Sequence, residues 1–184
     1  MIEEKTNNLH GAASTYHQLG IMAEERRDFE SAERWCRKAL EIAEKTDDLH
    51  GAATSYHQLV IVAHKRRDFD TAEKWYRKAL EIKEKTNDLR GAATPYHQLG
   101  IVAQERRDFD NAERWYQKAL EITEKTNNLH KAALTYHQLG TISQARRDFD
   151  SAERWYRKSL DIKEKTNNLH GAASTYHQLG IVAE

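Results

Sequence analysis

Tyr16-His17-Gln18-Leu19 returns as Tyr56-His57-Gln58-Leu59 and begins again at Tyr96, Tyr136 and Tyr176. A little further along the chain, Arg26-Arg27-Asp28-Phe29 returns at Arg66, Arg106 and Arg146. The spacing is 40 residues without a gap, and residues 41–80 match residues 81–120 at 30 of 40 positions. Repetition at this kind of period marks a solenoid, in which no unit buries its apolar faces alone and neighbouring units stack.

Outward from Leu19, apolar and small residues fall at three- and four-residue steps: Leu9, Ala12, Ala13, Tyr16, Leu19, Gly20 and Ala23. That spacing is one stripe of an α-helix. Asn8, Asp48, Asp88, Asn128 and Asn168 stand just ahead of these first helices, where a side-chain oxygen accepts from the free N–H groups of the first turn. Asp28 caps a second helix, whose stripe is Phe29, Ala32, Cys36, Ala39, Leu40 and Ala43 and which ends near Lys45. Trp35 and Ile42 lie off that stripe, and Trp75, Trp115 and Trp155 repeat the first of them. A helix with two apolar faces needs two neighbours, so the tryptophans are expected to pack between repeats. The expected organisation is a single solenoid over residues 1–184. Residues 2–6 form the tail of a preceding second helix. Repeats occupy 8–45, 48–85, 88–125 and 128–165, and a half repeat occupies 168–184. Two local departures carry their own expectations. Val60 replaces the glycine of Gly20, which predicts slight spreading of that helix pair. Pro95 sits inside the third first helix, where it removes an N–H and crowds the Gly91 carbonyl, which predicts a kink or a loose first turn.

Lys plus Arg is 29 and Asp plus Glu is 29, with no block of one sign. The chain therefore lacks the basic stripe of a nucleic-acid binder. No apolar run approaches the roughly 20 residues of a membrane span, and Met1–Lys5 has no hydrophobic signal core. A single Cys36 forms no internal disulfide, in keeping with a reducing compartment. The expectation is a cytoplasmic protein whose partners include neither nucleic acid nor membrane.

The order aromatic, Leu-Gly, Asp-aromatic, Ala, aromatic, Ala-Leu resembles the tetratricopeptide repeat. It is carried by Leu19-Gly20, Ala32, Cys36 and Ala39-Leu40, and more fully by Tyr56-His57-Gln58-Leu59, Asp68-Phe69, Ala72, Tyr76 and Ala79-Leu80. The common form has about 34 residues and a Pro after its second helix. Here six further residues replace that Pro. Ala-Leu-Glu-Ile-x-Glu-Lys, at Ala39–Lys45, Ala79–Lys85 and Ala119–Lys125, is similar to the longer-repeat branch of Pins-type adaptors and kinesin-light-chain-like bacterial arrays. The resemblance covers essentially the whole chain. It implies an all-α, right-handed superhelical solenoid of antiparallel helix pairs, about four and a half repeats long. It also implies a non-catalytic protein–protein interaction scaffold that binds a peptide or helix in a concave groove lined by the first helices. Two departures stand out: Arg27 occupies a frequent turn-glycine position, and Gln18 replaces an Asn that in the family often helps hold a bound peptide.

At 100° per residue, a second strip runs beside the core stripe of each first helix. It supplies the candidate peptide contacts. These are Ser14, His17, Ile21 and Glu24 in the first repeat, and Thr54, His57, Ile61 and His64 in the second. They are Thr94, His97, Ile101 and Gln104 in the third, and Leu134, His137, Thr141 and Gln144 in the fourth. The positions of Ser14, Glu24 and Glu25 vary most between repeats, which is where a uniform array would encode an asymmetric partner. His50, His57 and His64 share a face, but seven helical residues span about 10.5 Å and zinc ligands lie about 2 Å from their ion. No metal or cofactor is expected. A row of histidines ordinarily titrates near pH 6.5, so the groove is expected to gain positive charge in mild acid.

Catalysis needs unlike groups converging on one point. Here every candidate nucleophile or base lies in a near-identical ladder, with no phosphate loop or nucleophile elbow. Cys36 stands where the other repeats carry Tyr and reads as a packing variant. No enzyme is expected. Two further readings remain open at this point. One is homotypic end-to-end assembly into a homo-oligomer, since neither end carries a polar capping helix and like repeats stack head to tail naturally. The other is an accessory array of a larger bacterial signalling protein.

Overall fold

The structure, a computed structural model, describes residues 2–183, with side chains from residue 8 onward. Among the described residues the chain forms nine helices and no strand. They are α1 (Ile2–Glu25), α2 (Phe29–Lys45), α3 (Leu49–Lys65), α4 (Phe69–Lys85), α5 (Leu89–Glu105), α6 (Phe109–Lys125), α7 (Leu129–Ala145), α8 (Phe149–Lys165) and α9 (Leu169–Val182). The chain is all-α, built of helix pairs at a 40-residue period. It divides into two compact units, Met1–Thr86 and Asn87–Glu184. In the first, α1 pairs with α2 and α3 with α4; in the second, α5 pairs with α6, α7 with α8, and α9 packs on α8.

The tight turns follow from local chemistry. After α1, the Arg27 N–H bonds the Glu24 carbonyl and the Asp28 N–H bonds the Ala23 carbonyl, both at 2.9 Å. This paired closure requires a left-handed residue between the helices. Arg27, Arg67, Arg107 and Arg147 supply it at φ between 56° and 62°, and Asp47, Asn87, Asn127 and Asn167 at φ between 51° and 54°. Asn and Asp tolerate that region better than Arg does, so the Arg turns hold more backbone strain. The next residue caps the following helix. Asp28 Oδ1 accepts from the Ser31 N–H at 3.1 Å and Asp48 Oδ1 from the Gly51 N–H at 2.9 Å. Asp88, Asn128 and Asn168 act in the same way.

The first junction departs from the sequence expectation. Asn8 does not cap a helix, because α1 runs unbroken from Ile2. Residues 2–6 continue the helical hydrogen bonds of α1 without an intervening turn. Leu9 is also not a core residue. Leu9, within α1, is exposed, as are Leu49, Leu89, Leu129 and Leu169, the first residues of α3, α5, α7 and α9.

The interior of three of the four helix pairs is set by a glycine. A Cβ at Gly100 would meet the Tyr116 ring at 2.5 Å, one at Gly140 the Tyr156 ring at 2.6 Å, and one at Gly20 the Cys36 Sγ at 2.4 Å. Tyr116, Tyr156 and Cys36 are fully buried as a result. In the second repeat Val60 takes the glycine's place, Tyr76 is only half-buried, and α3 and α4 pack less closely than the other pairs. The expected spreading is thus present. Gly140→Val is expected to push Tyr156 outward in the same way and to lower stability by about 1–3 kcal/mol, the usual range for overpacking. Urea denaturation followed by circular dichroism measures it, and an unchanged midpoint would contradict the close-packing account.

Pro95 is buried within α5, which is assigned without interruption from Leu89 to Glu105. The expected kink or loosened turn does not break the helix, because Pro95 removes one N–H while both flanking turns keep theirs. The tryptophans pack between repeats, Trp35 against the cluster that holds Val62 and Trp75 with Cys36, Leu40 and Ala43. They also meet the tyrosine of their own repeat: Tyr16 stacks on Trp35 at 5.6 Å, Tyr96 on Trp115 at 5.8 Å and Tyr136 on Trp155 at 5.7 Å between ring centroids, and Tyr56 lies tilted against Trp75 at 5.7 Å. Lys38, Lys118 and Lys158 lie over both rings of the three stacked pairs. Polar and cation–ring contacts add to the apolar link between repeats, in which Cys36, Leu40 and Ala43 pack with Ala52, Tyr56 and Leu59, and Tyr116 and Leu120 with Ala132, Tyr136 and Leu139. The Tyr56 hydroxyl donates to Glu44 at 2.8 Å, Arg66 bonds Glu33 at 2.8 Å, and Arg37 lies over Trp75 at 5.4 Å.

Candidate functional site

Each compact unit opens a pocket between successive first helices. In the first unit it lies between α1 and α3, has a volume of about 240 Å³, and is lined by Ala13, Ser14, His17, Gly51, Thr54 and Ser55 over Ala43 of α2. In the second it lies between α5 and α7, has a volume of about 170 Å³, and is lined by Ala93, Thr94, His97, Lys131, Leu134 and Thr135 over Thr123 of α6. These seven lining positions correspond 80 residues apart, while His10, Ala39, Asp48 and His50 line only the first pocket and Gln98 only the second. Sequence repetition thus produces a similar pocket twice, with different chemistry at three positions: Ala43 and Thr123, Gly51 and Lys131, Thr54 and Leu134; Ser14 and Ser55 become Thr94 and Thr135, which keep the hydroxyl.

The second pocket is the better defined electrostatically. The Thr135 hydroxyl donates to the Lys131 carbonyl at 2.9 Å, so its oxygen is free to accept. His97 Nδ1 lies 3.1 Å from that oxygen. The proton therefore belongs on Nδ1, and Nε2 carries the lone pair. Burial, with the Lys131 ammonium second, pushes the His97 pKa down to about 4. Lys131 Nζ donates to Thr94 Oγ1 at 2.7 Å. The same device recurs between α7 and α9. His137 Nδ1 lies 3.4 Å from Thr175 Oγ1, which also accepts from the buried Lys163 Nζ at 2.7 Å. Burial and then Lys163 push the His137 pKa down to about 4. In the first unit burial, and after it the charge of His57, lowers that of His17. The sequence-based expectation of a histidine row titrating near pH 6.5 is therefore corrected at these three positions. The rings are part of the helix-to-helix contact and are desolvated, not free in a groove.

The structure gathers six of the sixteen predicted residues into the pockets: Ser14, His17 and Thr54 in one, Thr94, His97 and Leu134 in the other. Ile21, Ile61, Ile101 and Thr141 are half-buried further along the same helices, and His57 is exposed. The fourth position turns toward the second helix of its own pair. Gln104 Oε1 accepts from the Tyr116 hydroxyl at 3.0 Å and Gln144 Oε1 from Tyr156 at 2.8 Å. His64 meets Tyr76 edge-on at 5.7 Å. Glu24, opposite Cys36, is buried and ion-paired to Lys65. Lys131, Thr135 and Thr123 were not singled out from the sequence. The signal for Lys131 was nonetheless visible, since every other repeat has glycine there. Among the described residues, no three His, Cys, Asp or Glu side chains form a group that would hold a metal ion, and no helix is long and apolar enough to cross a membrane.

Comparison with known proteins bears on this architecture. The profile described as tetratricopeptide repeat matches residues 11–85 and 91–165, two repeats in each compact unit. A search of curated proteins finds no match to the sequence. Among solved structures, BtubC (BKLC) from P. vanneervenii is 22% identical at a TM-score of 0.78, with 98% of this chain and 82% of that one covered. A putative kinesin light chain with nearly identical TPR-like repeats from Podosopora anserina is 18% identical at 0.72, covering 92% of this chain and 84% of that one. A STAND signal-transduction ATPase with a tetratricopeptide repeat sensor from Pyrococcus horikoshii is 19% identical at 0.85, covering 95% of this chain and 27% of that one. At these identities the likeness is one of fold.

Proposed function

Because the chain belongs to the tetratricopeptide repeat family, whose members are in general interaction scaffolds, we propose that it is a non-catalytic scaffold binding a peptide or helix on its first-helix face. The observation that carries this reading is the recurrence of a similar pocket, in one register, in both units. A partner built on a regular backbone presents side chains at regular intervals, and repeated pockets between parallel helices suit such a ligand. Each pocket combines small residues with a few polar groups, over Ala43 in the first and Thr123 in the second, a composition suited to a recognition site. His97 Nε2 offers an acceptor and Lys131 a donor cation, so polar side chains of the partner would set its register. The partner is a protein or peptide, engaged in the cytoplasm, and neither nucleic acid nor membrane takes part.

The test is selection of peptides from a displayed library on the full chain, followed by titration against Ser14→Tyr and Thr94→Tyr. Both positions are exposed at a pocket rim, so the fold tolerates the change while the pocket is blocked. Affinity is expected to fall by about tenfold or more in at least one variant. Selected peptides that bind both variants as tightly as the parent chain would sink the reading.

A further inference from the structure

The second helices contribute Ala43 beneath the first pocket and Thr123 beneath the second. Small residue and lysine alternate at that position, as Ala43, Lys83, Thr123 and Lys163. Lys163 holds it below the gap between α7 and α9. Its side chain is buried, and Nζ donates to Thr175 Oγ1 at 2.7 Å. By repeat position Thr175 corresponds to Thr135 and His137 to His97, both of which line the pocket between α5 and α7. The ammonium thus stands against the hydroxyl whose counterpart faces an open pocket. It stands there at a cost. Lys45, Lys125 and Lys165 each meet an acid one helical turn away, whereas among the described residues no carboxylate pairs with Lys163. Burial accordingly pushes its pKa below the ordinary lysine value. A buried cation without a counter-charge lowers stability, and Thr123 fills the same place in α6 without one.

We propose that this floor position selects which gaps between first helices admit a partner side chain, and that Lys163 plugs the gap between α7 and α9. The inference rests on the scaffold reading above and adds its specificity. Thr123 is short, and its hydroxyl turns back onto the Leu120 carbonyl at 2.9 Å, which leaves the space above it open. Lysine carries a flexible four-carbon stem. From α8 that stem fills the corresponding space, and its ammonium closes on α9 through Thr175. The Thr175 hydroxyl donates to the Gly171 carbonyl at 3.1 Å, so its oxygen is free to accept. Repeats this similar create a difficulty for any partner that binds them, because a regular ligand shifted by one repeat meets nearly the same surface. A plug removes that alternative. Within the second unit the partner has one seat, between α5 and α7, and a copy displaced by one repeat meets Lys163 instead. Discrimination then comes from obstructing the wrong register as well as from fitting the right one.

Exchange of the two floor residues tests this on the full chain. Thr123→Lys carries the plug to the pocket between α5 and α7, where Thr135 Oγ1 accepts the ammonium as Thr175 Oγ1 does. Peptides selected from a displayed library on the parent chain are expected to bind it about tenfold more weakly or worse. Thr123→Met fills the same space without a charge and is expected to weaken binding alike. Melting curves identify which of the two variants is folded. A second arm needs no partner. In Lys163→Thr, water reaches His137 and the ammonium is gone, so that histidine is expected to titrate about one pH unit higher by NMR. Lys163→Met removes the charge and keeps the space filled, so its His137 is expected to titrate below that of Lys163→Thr. Parent-like affinity in a folded Thr123 variant overturns the proposal. So does a His137 titration that is unchanged in Lys163→Thr, or equal in the two Lys163 variants. A library that yields no peptide for the parent chain overturns the scaffold reading instead, and the His137 titrations still decide whether Lys163 closes the gap.

Discussion

Tyr116→Ala is expected to lower stability by about 3–5 kcal/mol, the range for removing a large buried aromatic side chain. At about 2–4 °C per kcal/mol for a chain of this size, the melting temperature would fall by roughly 6–20 °C. Tyr116 has no exposed surface and fills the space that Gly100 leaves on α5. Its ring lies 5.2 Å from His97, and its hydroxyl donates to Gln104 at 3.0 Å. Burial raises the phenol pKa, so the hydroxyl keeps its proton at any physiological pH. Tyr116→Phe isolates the hydroxyl: it keeps the ring and is expected to lose about 0.5–1.5 kcal/mol, the net worth of one hydrogen bond. Equal losses in the two variants would mean that the hydrogen bond, not the ring, holds α5 to α6. In repeat arrays each unit is stabilised by its neighbours. Hydrogen exchange is therefore expected to quicken in α5, α6 and α7 before it does in α2.

The second large effect is loss of stability in mild acid. His97 and His137 have folded pKa values of about 4, below the ordinary 6.5. A depressed histidine is neutral in the fold and protonates more readily once unfolded. Its contribution is fully present above pH 6.5 and is lost as the pH falls toward 4. The shift, discounted for the rings' partial exposure, corresponds to about 1–2 kcal/mol for each histidine. The melting temperature is expected to drop by several degrees between pH 7 and pH 4.5. The double variant His97→Gln, His137→Gln is expected to flatten that slope, and an equal slope in the variant would refute the assignment. The capping carboxylates act in a different window. Asp28, Asp108 and Asp148 are held below the usual value of 3.8 by hydrogen bonds from Ser31, Asn111 and Ser151. Their contribution is present above that value and is lost only beneath it.

The period, the helix pairs and most turns are legible in the amino acids because each is a local matter. Leu19, Gly20 and Ala23 share a face by helical spacing alone. Asp48 caps α3 because its carboxylate reaches an N–H three residues on. Gly20 and Val60 announce close and loose helix pairs because the space for a Cβ is decided by one neighbour. The strip of positions that includes Ser14 and His17 is also readable as one face of the first helices, and both residues line the pocket between α1 and α3.

What the sequence by itself determined, then, is an all-α array of 40-residue helix pairs with its caps and its small-residue seats. Tertiary structure alone decided the environment of the candidate site. His97 is neutral because packing buries its ring and sets Lys131 beside it, and its Nδ1 lies in hydrogen-bond contact with Thr135, 38 residues away. Glu24 is buried because Lys65, 41 residues away, meets its carboxylate. Such groups are brought together by the stacking of one helix pair on the next. Helical periodicity states which face a residue occupies. The distance to a side chain on another helix, and with it burial, protonation and partner, is set only when the pairs pack.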